Sequence, residues 1–257
     1  MLIDAHEILT AANHVEVFTG AGMSADSGIA TYRDAVTGVW ERVDPVAMAS
    51  ISAWHDDPET MYAWYLWRAQ LSQRAEPNAG HRAIAAARGM TVTTQNIDNL
   101  HERAGSEDVV HLHGSLFAFR CTDCDTPYEE PIALPEEPIE HIAPPECPVC
   151  GGLVRPGVVW FGEALPQDEW AEAERRMKTA DALLIVGTSG VVYPAAGLPL
   201  MAHAREIPIV EVTPQPTDLS HLADVVVPAT AAEALPRILQ GRINSGSCLL
   251  YTSPSPR

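Results

Sequence analysis

Four cysteines occur as two pairs with the same spacing, Cys121 with Cys124 and Cys147 with Cys150. Two residues between cysteines let one tight turn aim both sulfurs at one ion, and two such turns complete the tetrahedral shell that Zn²⁺ prefers. Four thiolates leave no position for water or substrate, so the pattern predicts a structural metal rather than a catalytic one. Disulfides are the alternative, which the absence of a signal peptide disfavours.

A glycine-rich turn near the amino terminus could hold a pyrophosphate. It contains Gly20, Ala21, Gly22 and Ser24 in a Gly-x-Gly-x-x-Ala pattern between a strand-like run and an expected helix. Glycines let the backbone approach phosphate groups, and amides at a helix start point toward their charge. Alone, the motif is also compatible with an ordinary tight turn. Dinucleotide dehydrogenases fit poorly, because the usual acidic ribose-binding residue about 20 positions further on is not evident.

The elements that would position these residues alternate along the chain. Apolar or β-branched runs that end in small or polar clusters predict buried strands at Val15–Thr19, Met90–Thr94, Ala182–Val186 and 207–212. Helix-like segments lie between them at 59–73, 79–88, Gln167–Thr179 and 195–204. This alternation predicts an α/β fold, a Rossmann-type parallel sheet with helices on both faces. Ligands of such sheets bind beyond the carboxyl ends of the strands.

Composition argues against several classes of partner. The 257 residues are 46% hydrophobic and contain no apolar run of membrane-spanning length. The 16 basic and 34 acidic residues give a net charge of −18, which opposes attraction to nucleic acid. We therefore expect neither nucleic acid nor membrane as a partner, and a cytoplasmic location. Residues 244–257 show neither helical nor strand periodicity and are expected to be a non-native tail.

Six ordered motifs resemble those of the sirtuins, NAD-dependent protein-lysine deacylases. They are the segment from Gly20 to Tyr32 and Arg33, Thr-Gln-Asn-Ile-Asp-Asn-Leu-His at 94–101, His-Leu-His-Gly-Ser at 111–115, the four cysteines, Val-Val-Trp-Phe-Gly-Glu at 158–163 and Gly-Thr-Ser at 187–189. The resemblance extends over about residues 14–240.

The resemblance implies an activity. Sirtuins cleave the nicotinamide–ribose bond of NAD and transfer ADP-ribose to the oxygen of an acyl-lysine amide, giving free lysine, nicotinamide and O-acyl-ADP-ribose. The implied cofactors are NAD and structural Zn²⁺. The implied partners are acyl-lysine proteins or peptides, and we expect a monomer. An ADP-ribosyltransferase or NAD glycohydrolase using the same pocket is the alternative enzyme, and a non-catalytic zinc-bearing module that senses NAD is the alternative class.

The resemblance also assigns roles to residues. His113 matches the catalytic base, and an ordinary histidine pKa near 6.5 suits proton removal at neutral pH. The neighbouring His111 is given no function. Asn96 and Asp98 match residues that hold the nicotinamide carboxamide. The full implied cofactor site comprises Gly20, Ala21, Gly22, Ser24, Tyr32, Arg33, Gln95, Asn96, Ile97, Asp98, Gly187, Thr188, Ser189 and Thr213.

Two positions in this set depart from the family pattern. Tyr32 stands where the family commonly has phenylalanine, a change that keeps an aromatic side chain. Thr213 stands where an asparagine usually contacts the adenosine ribose. A hydroxyl cannot copy both ends of an amide, so we expect weaker cofactor binding there.

The substrate side of the site is implied in the same way. The loop formed by Val158, Phe161, Gly162 and Glu163 is expected to pair with the substrate backbone as a strand. Tyr65 and Arg68, three residues apart on a helix, share one face. The pair resembles the class III sirtuin branch that removes succinyl and malonyl groups, where arginine and phenol grip the distal carboxylate. Without that resemblance they would be a tyrosine and a solvated arginine on an amphipathic helix.

These assignments predict two lobes. Residues 1–36, 80–120 and 155–243 form the Rossmann-type NAD-binding domain. Residues 37–79, a helical insertion, and 121–154, a zinc-binding module, form the smaller lobe.

Overall fold

A six-stranded parallel sheet organises the computed structural model, which describes residues 1–29 and 45–243 of the chain. Its strands, in spatial order, are β3 (Val109–His111), β2 (Met90–Thr94), β1 (Val15–Thr19), β6 (Ala182–Val186), β7 (Ile209–Val212) and β8 (Val225–Val227). Strands β1 and β6 are buried along their whole length, as expected for central strands covered on both faces. The predicted fold class is therefore confirmed.

The register brings the carboxyl ends of the strands to one edge. Thr19 of β1 lies opposite Thr94 of β2 and Val186 of β6, and Thr94 lies opposite His111 of β3. Residues that follow these strands therefore meet along one side of the sheet, although they are far apart in sequence.

Side chains alternate between two cores because the side-chain period of a strand is two residues. Val17 and Leu184 pack with the helices α1 (Leu2–Ala11), α5 (Ala79–Ala86) and α9 (Ala231–Ile238) on one face. Phe18 and Ile185 point the other way, into the cluster built by α7 (Gln167–Thr179) and α8 (Leu198–His203). Helices thus cover both faces of the sheet.

A second unit is built on the antiparallel pair β4 (Gly114–Cys121) and β5 (Val154–Val158). The helices α2 (Pro45–Met48), α3 (Ile51–Asp56) and α4 (Pro58–Arg74) belong to the same part of the molecule. Trp54, Trp64, Tyr65 and Trp160 form its aromatic core, together with Leu116 of β4. Residues 122–153, between the two strands, contain only turns, bends and isolated bridges.

At the edge of the sheet remote from the strand carboxyl ends, Arg242 acts as a clamp. Its guanidinium donates to backbone carbonyls from two segments, those of Leu9, Ala12, Asn13, Arg88 and Gly89. The arginine is 7% exposed. A short α6 (Leu100–Ala104) completes the described helices.

Several predicted elements differ in detail. The strand expected at 207–212 begins at Ile209, and the helix expected at 195–204 starts as a 3-10 turn before α8. The prediction of a helix after the glycine-rich turn was wrong. Two 3-10 turns, Ala21–Met23 and Ala25–Ser27, stand there, and the second ends at Gly28 with φ +79°.

The division into domains stays a prediction, and residues 244–257 lie outside the described part of the chain. No helix in residues 1–29 or 45–243 is both long and apolar enough to cross a membrane.

Candidate active site and metal centre

Two glycine loops meet back to back at the carboxyl edge of the sheet. The amide of Gly22 donates to the carbonyl of Gly187 at 2.8 Å, and the amide of Gly20 to the carbonyl of Val186 at 3.0 Å. A Cβ added at Gly22 would lie 2.8 Å from the Gly187 Cα, and Gly187 itself has φ +58°. No side chain fits between these loops, which leaves bare backbone where a pyrophosphate could approach.

Ser24, Asn96 and Asp98 form a buried polar cluster beside this backbone. The Ser24 hydroxyl donates to Asp98 Oδ2 at 2.9 Å, and the Leu100 amide donates to Oδ1 at 3.1 Å. Asn96 Nδ2 donates to the Gly20 carbonyl at 3.1 Å and lies 3.2 Å from Ser24 Oγ. The carboxylate and amide oxygens keep further acceptor capacity, which the amino group of a carboxamide could use. We call this the Ser24–Asn96–Asp98 cluster.

Burial changes the chemistry of Asp98, which is 5% exposed. Loss of solvent raises the pKa of its carboxyl, while the hydrogen bonds from Leu100 and Ser24 and the charge of His111 act in the opposite direction. Asp98 therefore depends on its neighbours to stay an acceptor.

Gln95 joins the two sides of the edge. Its Nε2 donates to Thr188 Oγ1 at 2.8 Å, and its own amide donates to the Thr19 carbonyl at 3.0 Å. The side chain thus spans from the end of β2 to the loop that follows β6, whereas Ile97 packs at the margin of the aromatic core.

His113 follows β3 and carries its proton in a defined place. Nδ1 lies 3.0 Å from the Gln95 carbonyl, an acceptor, so this nitrogen donates and the neutral ring has its lone pair on Nε2. Burial lowers the pKa of His113, against the effect of the Gln95 carbonyl. The side chain is therefore a neutral base at physiological pH.

The loop after β7 is held by a carboxylate that the sequence analysis missed. Glu211 is fully buried and accepts hydrogen bonds from the hydroxyls of Thr217 and Ser220. The sequence signal that could have identified Glu211 is a charged residue inside an otherwise apolar strand. The Thr213 hydroxyl donates to the Gln215 carbonyl at 2.7 Å, so its proton is already used within the same loop. The Ser189 carbonyl accepts from the Asp218 amide at 3.2 Å, which ties the two loops together.

The expected substrate loop is only partly free to bind a peptide. Phe161 donates its amide to the Ala49 carbonyl at 2.8 Å, while its side chain is 47% exposed. Gly162 has φ +93°, and Val158 is buried in the aromatic core. Among the expected substrate residues, Val158 therefore has no free side chain.

The carboxylate of Glu163 turns inward. It accepts two hydrogen bonds from Arg155, at 2.5 and 2.8 Å, and one from the Trp160 amide at 2.8 Å. Arg155 is 1% exposed and stacks over the Trp160 ring. This buried pair shapes the loop, so any contact of Glu163 with substrate would have to come from its backbone.

Tyr65 and Arg68 lie on α4, which is not the amphipathic surface helix that its sequence suggests. Residues 61–67 and 69 are all buried. The Tyr65 ring packs edge-on against Trp64 at 4.8 Å and against Trp160 at 5.7 Å between centroids. Burial raises the pKa of Tyr65 to about 12, so its phenol stays protonated and can donate.

Arg68 is half-buried above aromatic rings. Its guanidinium carbon lies 4.8 Å from the centroid of Trp64 and 5.8 Å from that of Tyr65. Within residues 1–29 and 45–243, no carboxylate lies close enough to form an ion pair with it. Burial lowers the pKa of the guanidinium, which Tyr65 and Asp98 oppose. A guanidinium pKa nevertheless starts so high that the group stays charged.

The four cysteines form a compact cluster at one end of the β4–β5 pair. All four sulfurs lie within 4.8 Å of one another. Neighbouring sulfurs are 3.4 Å apart for Cys121 and Cys150, 3.8 Å for Cys124 and Cys147, and 3.4 Å for Cys150 and Cys124. Zn–S bonds of about 2.3 Å place tetrahedral sulfurs about 3.8 Å apart.

These distances exclude disulfides among the four, because an S–S bond is only about 2.05 Å long. The set fits a structural zinc ion with no open position. Two predicted cofactor residues, Tyr32 and Arg33, lie outside the described residues, so their predicted contacts stay predictions.

Comparison with known proteins agrees with this geometry. The family model described as "Sir2 family" matches residues 20–194. A protein of Corynebacterium efficiens named "NAD-dependent protein deacylase 2" is 60% identical over 250 residues, which cover 93% of this chain and 98% of that protein. A crystal structure of a Sir2 homolog–NAD complex has a TM-score of 0.84 at 40% identity, covering 93% of this chain and 92% of the other. A Sir2 variant described with a deacetylated p53 peptide and 3'-O-acetyl ADP ribose has a TM-score of 0.79 at 29% identity, covering 95% and 99%.

Proposed function

Because this chain belongs to the Sir2 family and is an NAD-dependent protein deacylase, we propose that it removes acidic acyl groups, succinyl and malonyl, from protein lysine as well as acetyl. The family membership gives the reaction, and the proposal concerns the acyl group. The observation that carries it is the charged Arg68 side chain, which has no carboxylate partner in the described part of the chain.

A half-buried guanidinium without an ion-pair partner is unfavourable unless something else compensates it. Stacking on Trp64 and Tyr65 compensates only in part. An acyl group that ends in a carboxylate would supply the missing partner, because the planar guanidinium can bind both carboxylate oxygens at once. The protonated Tyr65 phenol could add one more hydrogen bond.

Two contacts favour this location for the acyl group. Tyr65 packs on Trp160, the residue before the proposed substrate loop at Phe161 and Gly162. Asp98 is close enough to Arg68 to affect its pKa. A carboxylate held by Arg68 would thus lie between the substrate loop and the Ser24–Asn96–Asp98 cluster, where an acylated lysine must meet the cofactor.

The remaining roles follow from the same geometry. NAD, when bound, supplies the ribose carbon that accepts the acyl oxygen. In our proposal the bare backbone of Gly20, Gly22 and Gly187 accommodates its phosphates, and Asn96 and Asp98 hold its carboxamide. His113 presents the Nε2 lone pair of a neutral ring, which can remove a proton from a ribose hydroxyl.

The test compares Arg68→Met with wild type on matched succinyl-lysine and acetyl-lysine peptides. Loss of hydrogen bonds to a charged group should raise the KM for succinyl-lysine roughly tenfold to a hundredfold. The KM for acetyl-lysine should change little, because the acetyl group offers no charge to Arg68.

Arg74→Met is the matched control, since Arg74 lies on the same helix and also stacks on a tryptophan, 5.7 Å from the Trp67 centroid. It should leave the ratio of succinyl to acetyl activity unchanged. Equal losses on both peptides in Arg68→Met would refute the acyl assignment while leaving the deacylase reaction in place.

A further inference from the structure

His111 and Glu102 form a pair that the motifs left without a function. His111 is the last residue of β3, and Glu102 lies on α6. Nε2 of His111 is 2.6 Å from Oε1 of Glu102, and Nδ1 is 2.9 Å from the carbonyl oxygen of Asn96. The pair therefore connects the Ser24–Asn96–Asp98 cluster to a partly exposed carboxylate.

Both partners of His111 are acceptors. A carbonyl oxygen and a carboxylate have no proton to give, so both ring nitrogens must donate, and only the imidazolium form does so. Burial acts to lower the pKa of His111, but the hydrogen bond and charge of Glu102, the Asn96 carbonyl and the charge of Asp98 together raise it. Burial acts to raise the pKa of Glu102, and its hydrogen bond and attraction to His111 leave it lowered. The pair is therefore ionised at neutral pH.

His113, two residues further along, provides an internal comparison. Its Nδ1 is bonded to the Gln95 carbonyl, so the two histidines hold the carbonyls of consecutive residues. The two histidines differ in their second partner, because Glu102 accepts a hydrogen bond from His111 and not from His113. Burial leaves the pKa of His113 lowered, whereas Glu102 leaves that of His111 raised. Opposite shifts of this kind separate a neutral base from a cation at neutral pH.

We propose that His111, kept as a cation by Glu102, is a positioning residue for the deacylase reaction: it fixes the Asn96 carbonyl and keeps the buried Asp98 an anion that accepts hydrogen bonds. This inference rests on the role proposed for Asn96 and Asp98 in holding the carboxamide of NAD. His111 contacts only the backbone carbonyl of Asn96 and acts on the side chain of Asp98 through its charge.

The other titratable groups around the pair do not supply this charge. Besides Glu102 and Asp98, His111 interacts with His101 on α6, and Glu102 interacts with His81 on α5. Burial lowers the pKa of both His81 and His101, so both are neutral at physiological pH. Arg68 also interacts with Asp98, but its charge does not change in this pH range. Loss of the His111 proton would therefore remove a positive charge that lowers the pKa of Asp98. A neutral His111 has one N–H for two acceptors, so the Asn96 carbonyl loses its donor in part of the molecules, and the KM for NAD should rise on the alkaline side of neutrality.

The experiment measures KM for NAD and kcat across pH for wild type, Glu102→Gln and Glu107→Gln. Replacing Glu102 removes the charge that favours imidazolium, so the alkaline rise in KM should move down by about one pH unit or more. The kcat at saturating NAD should stay within roughly twofold, since the interaction acts on cofactor binding. Glu107→Gln, which removes an exposed carboxylate from the loop between α6 and β3, should match wild type.

A second variant and a spectroscopic readout guard against a merely structural effect. His111→Gln keeps an N–H for the Asn96 carbonyl but carries no charge, so its KM for NAD should be raised at every pH without the alkaline rise. In protein labelled with ¹⁵N-histidine, both ring nitrogens of His111 should be protonated at pH 7, and Glu102→Gln should lower the titration midpoint.

A neutral His111 at pH 7, or a Glu102→Gln profile that overlays wild type, would overturn the inference. The outcome is independent of acyl preference. A shifted pH profile without succinyl preference would refute only the acyl proposal. A succinyl preference with an unshifted pH profile would refute only the role proposed for His111.

Discussion

The parallel sheet and the cysteine module are stabilised in different ways. The sheet buries two extensive clusters of apolar side chains and pairs its strands continuously, and the residues of the candidate site extend from its edge. In residues 122–153 regular structure is absent, and the core beneath the four sulfurs consists of Cys121, Cys147 and Val154 with Phe119 and Tyr128 against them. Ile132, Leu134, Ile142 and Leu153 of this segment pack at the margin of the aromatic core, but the part around the sulfurs buries too little apolar surface to offset its conformational entropy without the metal.

The difference separates two kinds of functional residue. At the sheet edge, a side chain can be exchanged without loss of the scaffold, so its chemistry is separable from stability. In the module, the metal ligands are the scaffold, and binding free energy is folding free energy. This contrast predicts four effects of decreasing size.

The largest effect is expected at the sheet edge. His113→Gln removes the proposed base, and general base catalysis contributes roughly a hundredfold to ten-thousandfold, so turnover should fall by that amount. The melting temperature should change little, because a glutamine amide can still donate to the Gln95 carbonyl. Steady-state kinetics and thermal melts check both parts. A variant with near-native turnover would remove His113 from the mechanism.

Cys147→Ser should lower stability and activity together. Cys147 is 4% exposed and supplies one of four sulfurs, so its loss should release zinc and destabilise residues 122–153 and the strands that flank them. Zinc content, melting temperature and deacylation are measured on one preparation, with Cys248→Ser as the control, because Cys248 belongs to neither Cys-x-x-Cys pair of the sequence. A metal-free variant with wild-type stability and activity would show that the module does not depend on zinc for its fold.

Acid should destabilise the sheet through a buried histidine pair. The rings of His81 and His101 are 4.8 Å apart, and burial lowers the pKa of His81 to about 4. The unfolded chain binds protons first, so this stability is fully present above about pH 6.5 and is lost as pH falls toward about 4. For His81 the loss amounts to about 3 kcal/mol.

Urea unfolding between pH 7 and pH 4.5 measures this effect, and His81→Asn should flatten the pH dependence. The exposed His203→Asn is the control. Zinc release is followed in parallel, because protonation of thiolates would destabilise the module in the same range. An unchanged slope in His81→Asn would assign acid sensitivity to the module instead.

The smallest effect is expected at Thr213. Its hydroxyl is bonded to the Gln215 carbonyl. Removing the hydroxyl in Thr213→Val should destabilise the loop after β7 by roughly 1 kcal/mol and raise the KM for NAD a few-fold. Thr213→Asn restores the amide typical of the family and should lower KM if that amide reaches the ribose. Equal KM values in all three proteins would show that this loop does not contribute to cofactor affinity.

Sequence patterns predicted the elements of at least five residues that have an apolar or β-branched run or a helical period. The bounds of β1, β2, β6 and α7 match their predicted ranges, because each run is ended by small or polar residues. The three-residue strands β3 and β8 were not predicted, since so few residues show no periodicity. The contact between Gly22 and Gly187 also has no local signal, because it joins segments far apart in the chain.

The candidate site shows the same limit. Motif resemblance located the residues after each strand, and the register of β1, β2 and β3 brings them together. It did not reveal that the Glu163 carboxylate binds Arg155, that Glu211 anchors a loop, or that α4 is buried on most of its surface. Each of these depends on tertiary contacts that a one-dimensional pattern does not contain.

The Arg242 clamp has a consequence for biosynthesis. Its guanidinium satisfies carbonyls at the end of α1 and in the turn that leads into β2, yet it is made after every strand of the sheet. After β1 and β2 have left the ribosome, these carbonyls lack their partner until Arg242 has been synthesised, which is later than every strand of the sheet. Early folding intermediates will be open at this end of the sheet, where chaperones and proteases can reach them first.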